Sequence, residues 1–315
     1  MTSPLAPGSL AQTLSVLQAR GIDRLDAQLL LLHLLGKPPE QRSWLLAHDS
    51  DALPAACQLS LEALVQRRLA GEPLAYLTGN KAFYGLTLQV SRDVLVPRPD
   101  TETLVDWALQ QLPGEPTQQR ANAAPWPGGA AGLPGSVPWS ATGLTDKVPL
   151  SVLDLGSGSG AIALALKATR PDLRVWATDM SSAALAVAQA NARHLQLEVR
   201  FCQGCWFAAL PADAPLFDCI ACNPPYIAMH DPHLAALRFE PASALTSGAD
   251  GLDDLRCIIS DAPAYLKAGG WLLLEHGFDQ AEQTRSLLVQ RGFVAVQSRR
   301  DLAGIERCSG GQKPQ

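Results

Sequence analysis

The most informative residues are Asn223-Pro224-Pro225-Tyr226, which follow an apolar run from Leu216 to Cys222. Two successive prolines fix the backbone and remove two N–H donors. The Pro224 carbonyl can then stand at a set angle beside the Asn223 side-chain carbonyl. Two converging acceptors suit an NH₂ group carrying two hydrogens. Tyr226 adds a flat face for a planar amide or base. Such a site would act by positioning the group and by favouring positive charge developing on its nitrogen. The plainer alternative is a Pro-rich turn that leads out of a strand.

A second constellation lies upstream. Val152-Leu153-Asp154-Leu155 is an apolar strand that runs into Gly156-Ser157-Gly158-Ser159-Gly160. Glycines permit a tight turn and close approach of a ligand to the backbone, and the following helix start offers free N–H groups. Dinucleotide-binding folds share this signal. Asp179 ends the next strand about 20 residues on, where a carboxylate can accept both hydroxyls of a ribose. The plainer alternative is a cap for the helix that begins near Ser181 and Ser182.

The seven cysteines form no such site. Cys202 and Cys205 are spaced as a zinc ribbon would need, as are Cys219 and Cys222. The second pair lies in an apolar strand, where residues three apart point to opposite faces. Reduced thiols and no metal are expected.

The elements that must position these residues can be read from periodicity. From 150 onward, strands are expected at 151–155, 174–178, 198–202, 217–222, 271–276 and 293–298, with helices between them. That alternation predicts an α/β fold, a doubly wound and mostly parallel sheet. Residues 10–70 show leucines at three- and four-residue spacing, among them Leu14, Leu17, Leu25, Leu29, Leu32 and Leu35, and predict a small helical domain. Phe83 to Val96 shift to alternation and predict a β-hairpin. A helix is expected from about Asp100 to Leu109. The three parts are placed at 1–76, 77–97 and 98–315. Residues 113–149 hold seven Pro and six Gly in 37 positions with few charges, which predicts a disordered insert. Trp126 and Trp139 are unusual in such a stretch. Gly310-Gly311-Gln312 is expected to fray after the last strand.

Charge and hydropathy narrow the function further. The net charge is −5 over 315 residues, with no basic stripe of the kind that grips nucleic acid. No apolar run is long enough to span a bilayer, and the N-terminus lacks a signal peptide's basic start. A cytoplasmic monomer with no membrane association and no direct nucleic acid contact is expected.

Together the Gly-rich turn and Asn-Pro-Pro-Tyr resemble S-adenosyl-L-methionine-dependent methyltransferases that act on planar nitrogen. Further motifs separate the substrate classes. Pro73–Gly79, Phe83-Tyr84-Gly85, Val96-Pro97-Arg98-Pro99-Asp100-Thr101-Glu102, Glu240–Leu245, Asp250-Gly251-Leu252 with Arg256, and Leu274-Glu275-His276-Gly277 look like the peptide chain release factor N(5)-glutamine methyltransferases. The sister family that modifies a ribosomal protein glutamine has P-R-S-P where this chain has P-R-P-D-T-E. An adenine-N(6) nucleic acid methyltransferase is the more distant alternative.

The resemblance implies a class I methyltransferase-type domain, an N-terminal substrate-recognition bundle and a hairpin connector. It implies class I release factors as partners, with the glutamine of their Gly-Gly-Gln loop as methyl acceptor. Asn223, Pro224, Pro225 and Tyr226 would bind the amide, with Asn223 also bordering the cofactor. Asp154, Gly156, Gly158, Gly160, Asp179 and Trp206 would surround S-adenosyl-L-methionine. Arg98 would shape the pocket entrance or serve as a structural arginine between the domains. Relatives often carry an acidic residue where this chain has Cys205, before Trp206. The insert at 113–149 is the second departure.

Overall fold

The computed structural model describes residues 8–114 and 149–315. The expected disorder of the insert falls largely on 115–148, outside the described residues, together with Trp126 and Trp139. The described chain divides into two compact units that meet at Gly79 and Asn80.

The first unit is helical: α1 (Leu10–Ala19), α2 (Arg24–Leu34), α3 (Arg42–Ala47), α4 (Ala55–Leu69) and α5 (Leu74–Thr78). Sequence signals set its boundaries. Ser9 caps α1 in a reciprocal pair with Gln12, and the Asp23 carboxylate accepts from Leu25 N ahead of α2. Leu17, Leu30, Leu31, Leu32, Leu61 and Val65 fill the core of this unit. The expected leucine spacing thus does pack as a core, while Leu25 remains exposed.

The second unit opens with a hairpin of β1 (Asn80–Phe83) and β2 (Leu86–Gln89). Tyr84 and Gly85 both have positive φ, as a two-residue turn matched to strand twist requires. The hairpin is shorter than expected. Val94 and Val96 are buried but lie outside any strand, because Pro97 and Pro99 cannot donate to a ladder and Val96 N donates to Glu240 Oε2 instead. A 3-10 turn over Pro99–Thr101 then leads into α6 (Glu102–Gln111).

The remaining elements are β3 (Ser151–Leu155), α7 (Ala161–Thr169), β4 (Arg174–Asp179), α8 (Ser182–Leu195), β5 (Arg200–Gln203), β6 (Phe217–Cys222), α9 (Asp253–Asp261), β7 (Leu266–Glu275), α10 (Ala281–Gln290), β8 (Val294–Arg300) and β9 (Glu306–Gln312). The sheet order is β5-β4-β3-β6-β7-β9-β8. The first five strands in that order pair in parallel, and β9 is antiparallel to both of its neighbours. Period-two alternation splits each buried strand between two cores. Val152, Cys219, Ala221 and Leu273 meet α6 and α7. Leu153, Ile220, Cys222 and Leu274 meet α9 and α10. Cys219 and Cys222 therefore lie on opposite faces of the sheet. The chain order places strand reversal between β3 and β6, where open α/β sheets bind ligands.

The C-terminal segment corrects one expectation. Gly310-Gly311-Gln312 does not fray but lies within β9, between β7 and β8. Gly and Ser have low strand propensity, so the run does not announce a strand. Its neighbours demand glycine: a Cβ on Gly310 would stand 2.6 Å from both Leu272 O and Leu273 Cδ2 and 2.9 Å from Trp107. Gly310→Val overpacks this interior and is expected to cost at least about 1–3 kcal/mol. At roughly 2–4 °C per kcal/mol, thermal melting of the full chain will fall by several degrees. An unchanged melting temperature would refute the close packing.

Candidate active site

At the C-terminal ends of β3, β4 and β6 lies a cavity of about 420 Å³, within the range of small-molecule sites. The Gly-rich turn forms one wall. Gly156 and Ser157 both donate their N–H to Thr178 O at 2.9 Å, which folds the turn back against β4. Gly156 has φ +72°, and a Cβ there would meet the Trp206 ring at 3.1 Å. Gly158 has φ +53° and open space around its Cβ position. Gly160 does not line the cavity. A Cβ on it would meet Leu164 at 3.0 Å and Ala188 at 3.2 Å, so this glycine serves helix packing.

Asp179 lies on the wall of the same cavity. Its Oδ2 accepts from Gly158 N and its Oδ1 from Ser181 N, each at 2.9 Å. The helix cap is a different residue, Ser181, whose hydroxyl accepts from Ala184 N. Each Asp179 oxygen therefore keeps a lone pair for a ligand hydroxyl. Trp206 lines the cavity with φ +43°, a conformation costing about 1–3 kcal/mol for a bulky residue. Cys205 lines it too, so a thiol stands where an acidic residue was expected in relatives.

Asp154 sits behind the turn rather than in the cavity. It is fully buried, and its Oδ2 accepts from Ala163 N. Burial, with a smaller contribution from the Asp179 charge, pushes its carboxyl up to about 7.

The other half of the cavity is built around Asn223 and Pro225, both on its lining. Pro224 is buried and Tyr226 partly so, and neither is on the cavity lining. The Tyr226 carbonyl accepts from Gln280 Nε2, which ties this turn to the N-terminus of α10. Burial pushes the Tyr226 phenol well above its ordinary range, with the Glu275 charge adding and Arg307 and Arg98 opposing. Arg98 lines the cavity and pairs with buried Glu240. Glu240 also holds Val96 N, so this ion pair fixes the Pro97–Thr101 segment against the loop after β6, within one unit.

Several lining residues carried no sequence expectation of a site role. Asp93, Val94 and Leu95 come from the irregular segment after the hairpin, Ser243 and Ala244 from the Glu-Pro-Ala-Ser-Ala-Leu loop, and Thr246 from just after it. That loop motif was visible, but nothing in its residue types assigned it to the cavity. Thr101 is the most consequential, because Asn223 Nδ2 donates to its Oγ1 at 3.2 Å.

Two further polar groups bear on what the cavity can hold. The Ser157 and Thr178 hydroxyl oxygens are buried without hydrogen-bond partners among the described residues, and both residues line the cavity. With the Asp179 carboxylate, an aromatic wall from Trp206 and a glycine turn, this donor set fits an adenosine-bearing ligand such as S-adenosylmethionine. No helix among the described residues is long and apolar enough to cross a membrane.

The sequence matches the family models for the PrmC N-terminal domain over residues 9–79 and the methyltransferase small domain over 141–284. It is 47% identical over 293 residues to a release factor glutamine methyltransferase from Bordetella pertussis, covering 92% of this chain and 95% of that protein. It is 44% identical over 321 residues to a protein of the same name from Burkholderia pseudomallei, covering 99% of each. Among solved structures, the release factor-specific protein-(glutamine-N5) methyltransferase from Alicyclobacillus acidocaldarius aligns over 72% of this chain and all of that one, with 24% identity and a TM-score of 0.39. The seven-stranded sheet and the methyltransferase family model identify a class I methyltransferase fold. With both family models matched in order and identity above 40% across nearly the whole length, the chain belongs to the release factor glutamine methyltransferase family.

Proposed function

We propose that this enzyme methylates the side-chain amide nitrogen of the glutamine in the Gly-Gly-Gln loop of class I release factors. S-adenosylmethionine, when bound, supplies an electrophilic sulfonium methyl. Gly156, Gly158, Asp179 and Trp206 would hold it, with Asp179 on the ribose and the Trp206 ring beside the adenine. Asp154 and Gly160 shape the turn from behind.

The observation that carries the amide assignment is the placement of Asn223 on the cavity wall with its Nδ2 engaged by Thr101. Its Oδ1 is then the atom left to accept from a substrate NH₂. The Pro224 carbonyl is the second acceptor in this reading. Two acceptors on the amide hydrogens orient the nitrogen and favour the positive charge that develops as it attacks. The proton leaves after the new N–C bond forms. Pro225 and Arg98 border the bound glutamine, and Tyr226 flanks it from behind the turn. We place the reaction in the cytoplasm, in a monomer. The chain charge of −5 suits a protein acceptor better than a polyanionic nucleic acid.

The test uses labelled S-adenosylmethionine, with a release factor and a Gly-Gly-Ala version of it. Label is expected in the first and absent from the second. Equal labelling of both would refute the assigned acceptor. Labelling of a ribosomal protein instead would favour the sister activity, and labelling of DNA the adenine activity.

A further inference from the structure

Behind the cavity, a carboxyl group is buried with no place in the mechanism above. Glu275 ends β7, beside the end of β6, where Cys222 pairs with Leu274. It is 1% exposed. The Thr101 and Asn223 side chains both favour its charged form, which puts them within reach of its carboxyl, while its Oε2 has no partner among the described residues. A buried carboxyl with an unmatched oxygen is costly, and an apolar residue would serve packing alone better.

Connectivity gives this group a direction. Asn223 Nδ2 donates to Thr101 Oγ1. The Thr101 hydroxyl is therefore free to pass its own hydrogen to the Glu275 carboxyl. An amide whose nitrogen is engaged on the inner side presents its oxygen on the other. A glutamine or asparagine side chain has no intrinsic preference between its two ends, so a site that needs the oxygen outward must hold the nitrogen inward.

We infer that Thr101 and Glu275 form a positioning relay that locks the Asn223 amide with its oxygen toward the substrate, and that a carboxylate at Glu275 strengthens that oxygen as an acceptor. The inference rests on the amide-binding reading of Asn223. A negative charge behind a polarised amide enhances the electron density at its exposed oxygen, and so favours charge developing on the methylated nitrogen. Glu275 and Thr101 act through Asn223 and need not touch the reacting atoms.

The charge state of Glu275 supplies a readout that a packing role would not move. Burial pushes its carboxyl up to about 7, with Asp100 adding, while Thr101, Arg307 and Asn223 oppose. The groups that face it are Asp100 ahead of α6, Arg307 and Cys308 on β9, and Tyr226 and Cys222 around the end of β6. The ionised form is the active one in this relay, so kcat rises with pH through the neutral range.

Full-length enzyme is assayed with release factor and S-adenosylmethionine. Glu275→Gln, which keeps the shape, is expected to lower kcat about 10-fold and to flatten the rise of kcat with pH. KM for the release factor and Kd for the cofactor stay within about 2-fold of wild type. Thr101→Val lowers kcat similarly, and Thr101→Ser, which keeps the hydroxyl, recovers most of it. Wild-type kcat in Glu275→Gln, a pH limb that survives the substitution, or a loss confined to KM or Kd would overturn the relay. If the wild-type enzyme itself leaves the release factor unlabelled, it is the substrate reading that fails.

Discussion

Asn223→Ala lowers the rate of methyl transfer about 10²–10³-fold while Kd for S-adenosylmethionine stays within about 3-fold, in line with the loss of one preorganised electrostatic group. The asymmetry follows from where the residue sits. Asn223 lies at the end of β6, on the cavity wall, with its amide nitrogen held by Thr101. The side of the cavity proposed for adenosine is lined by the Gly156–Gly158 turn, Asp179 and Trp206, from β3, β4 and the segment after β5. Removing the Asn223 side chain leaves that side untouched. What is lost is an acceptor aimed at the nitrogen that becomes positive, and water filling the gap cannot reproduce its fixed direction. Single-turnover rates with saturating cofactor, set beside cofactor affinity by titration, check this. A rise in Kd matching the fall in rate would assign Asn223 to the cofactor instead.

How much of this was legible in the sequence depended on whether a residue's role is local. The Gly156–Gly160 turn and Asn223–Tyr226 were readable because glycine permits, and proline fixes, a particular backbone where it stands. The alternating cores on either side of the sheet were readable for the same reason, since Cys219 and Cys222 split between faces by period alone. β9 was not, because its glycines are selected by Leu272, Leu273 and Trp107, residues far away along the chain. Nor was the short hairpin, since Val96 gives its N–H to Glu240, 144 positions on. The resemblance implied Asp154 beside the cofactor, yet its carboxyl accepts from Ala163 N in the helix behind the turn. The meeting of Thr101, Asn223 and Glu275 draws on the turn before α6, the residue after β6 and the end of β7, and needs the sheet order to exist at all.

Asp179→Ala should weaken cofactor binding about 10²-fold, equivalent to losing roughly two hydrogen bonds to a charged acceptor after water takes up part of the difference. The carboxylate has two tasks. It accepts from Gly158 N and Ser181 N, and so joins the Gly-rich turn to the start of α8. Its remaining lone pairs are the ones assigned to the ribose hydroxyls. Asp179→Asn separates the tasks, since it keeps one carbonyl acceptor and replaces the other with a donor. It should bind the cofactor more tightly than the alanine variant but less tightly than wild type. Because Asn223 is unaltered in both, kcat at saturating cofactor should move by less than about 3-fold, as expected when only ground-state binding is lost. The measurement is cofactor affinity by calorimetry, paired with kcat at a cofactor concentration well above each variant's Kd. A fall in kcat without a change in Kd would place Asp179 with the methyl acceptor and undo its assignment to the ribose.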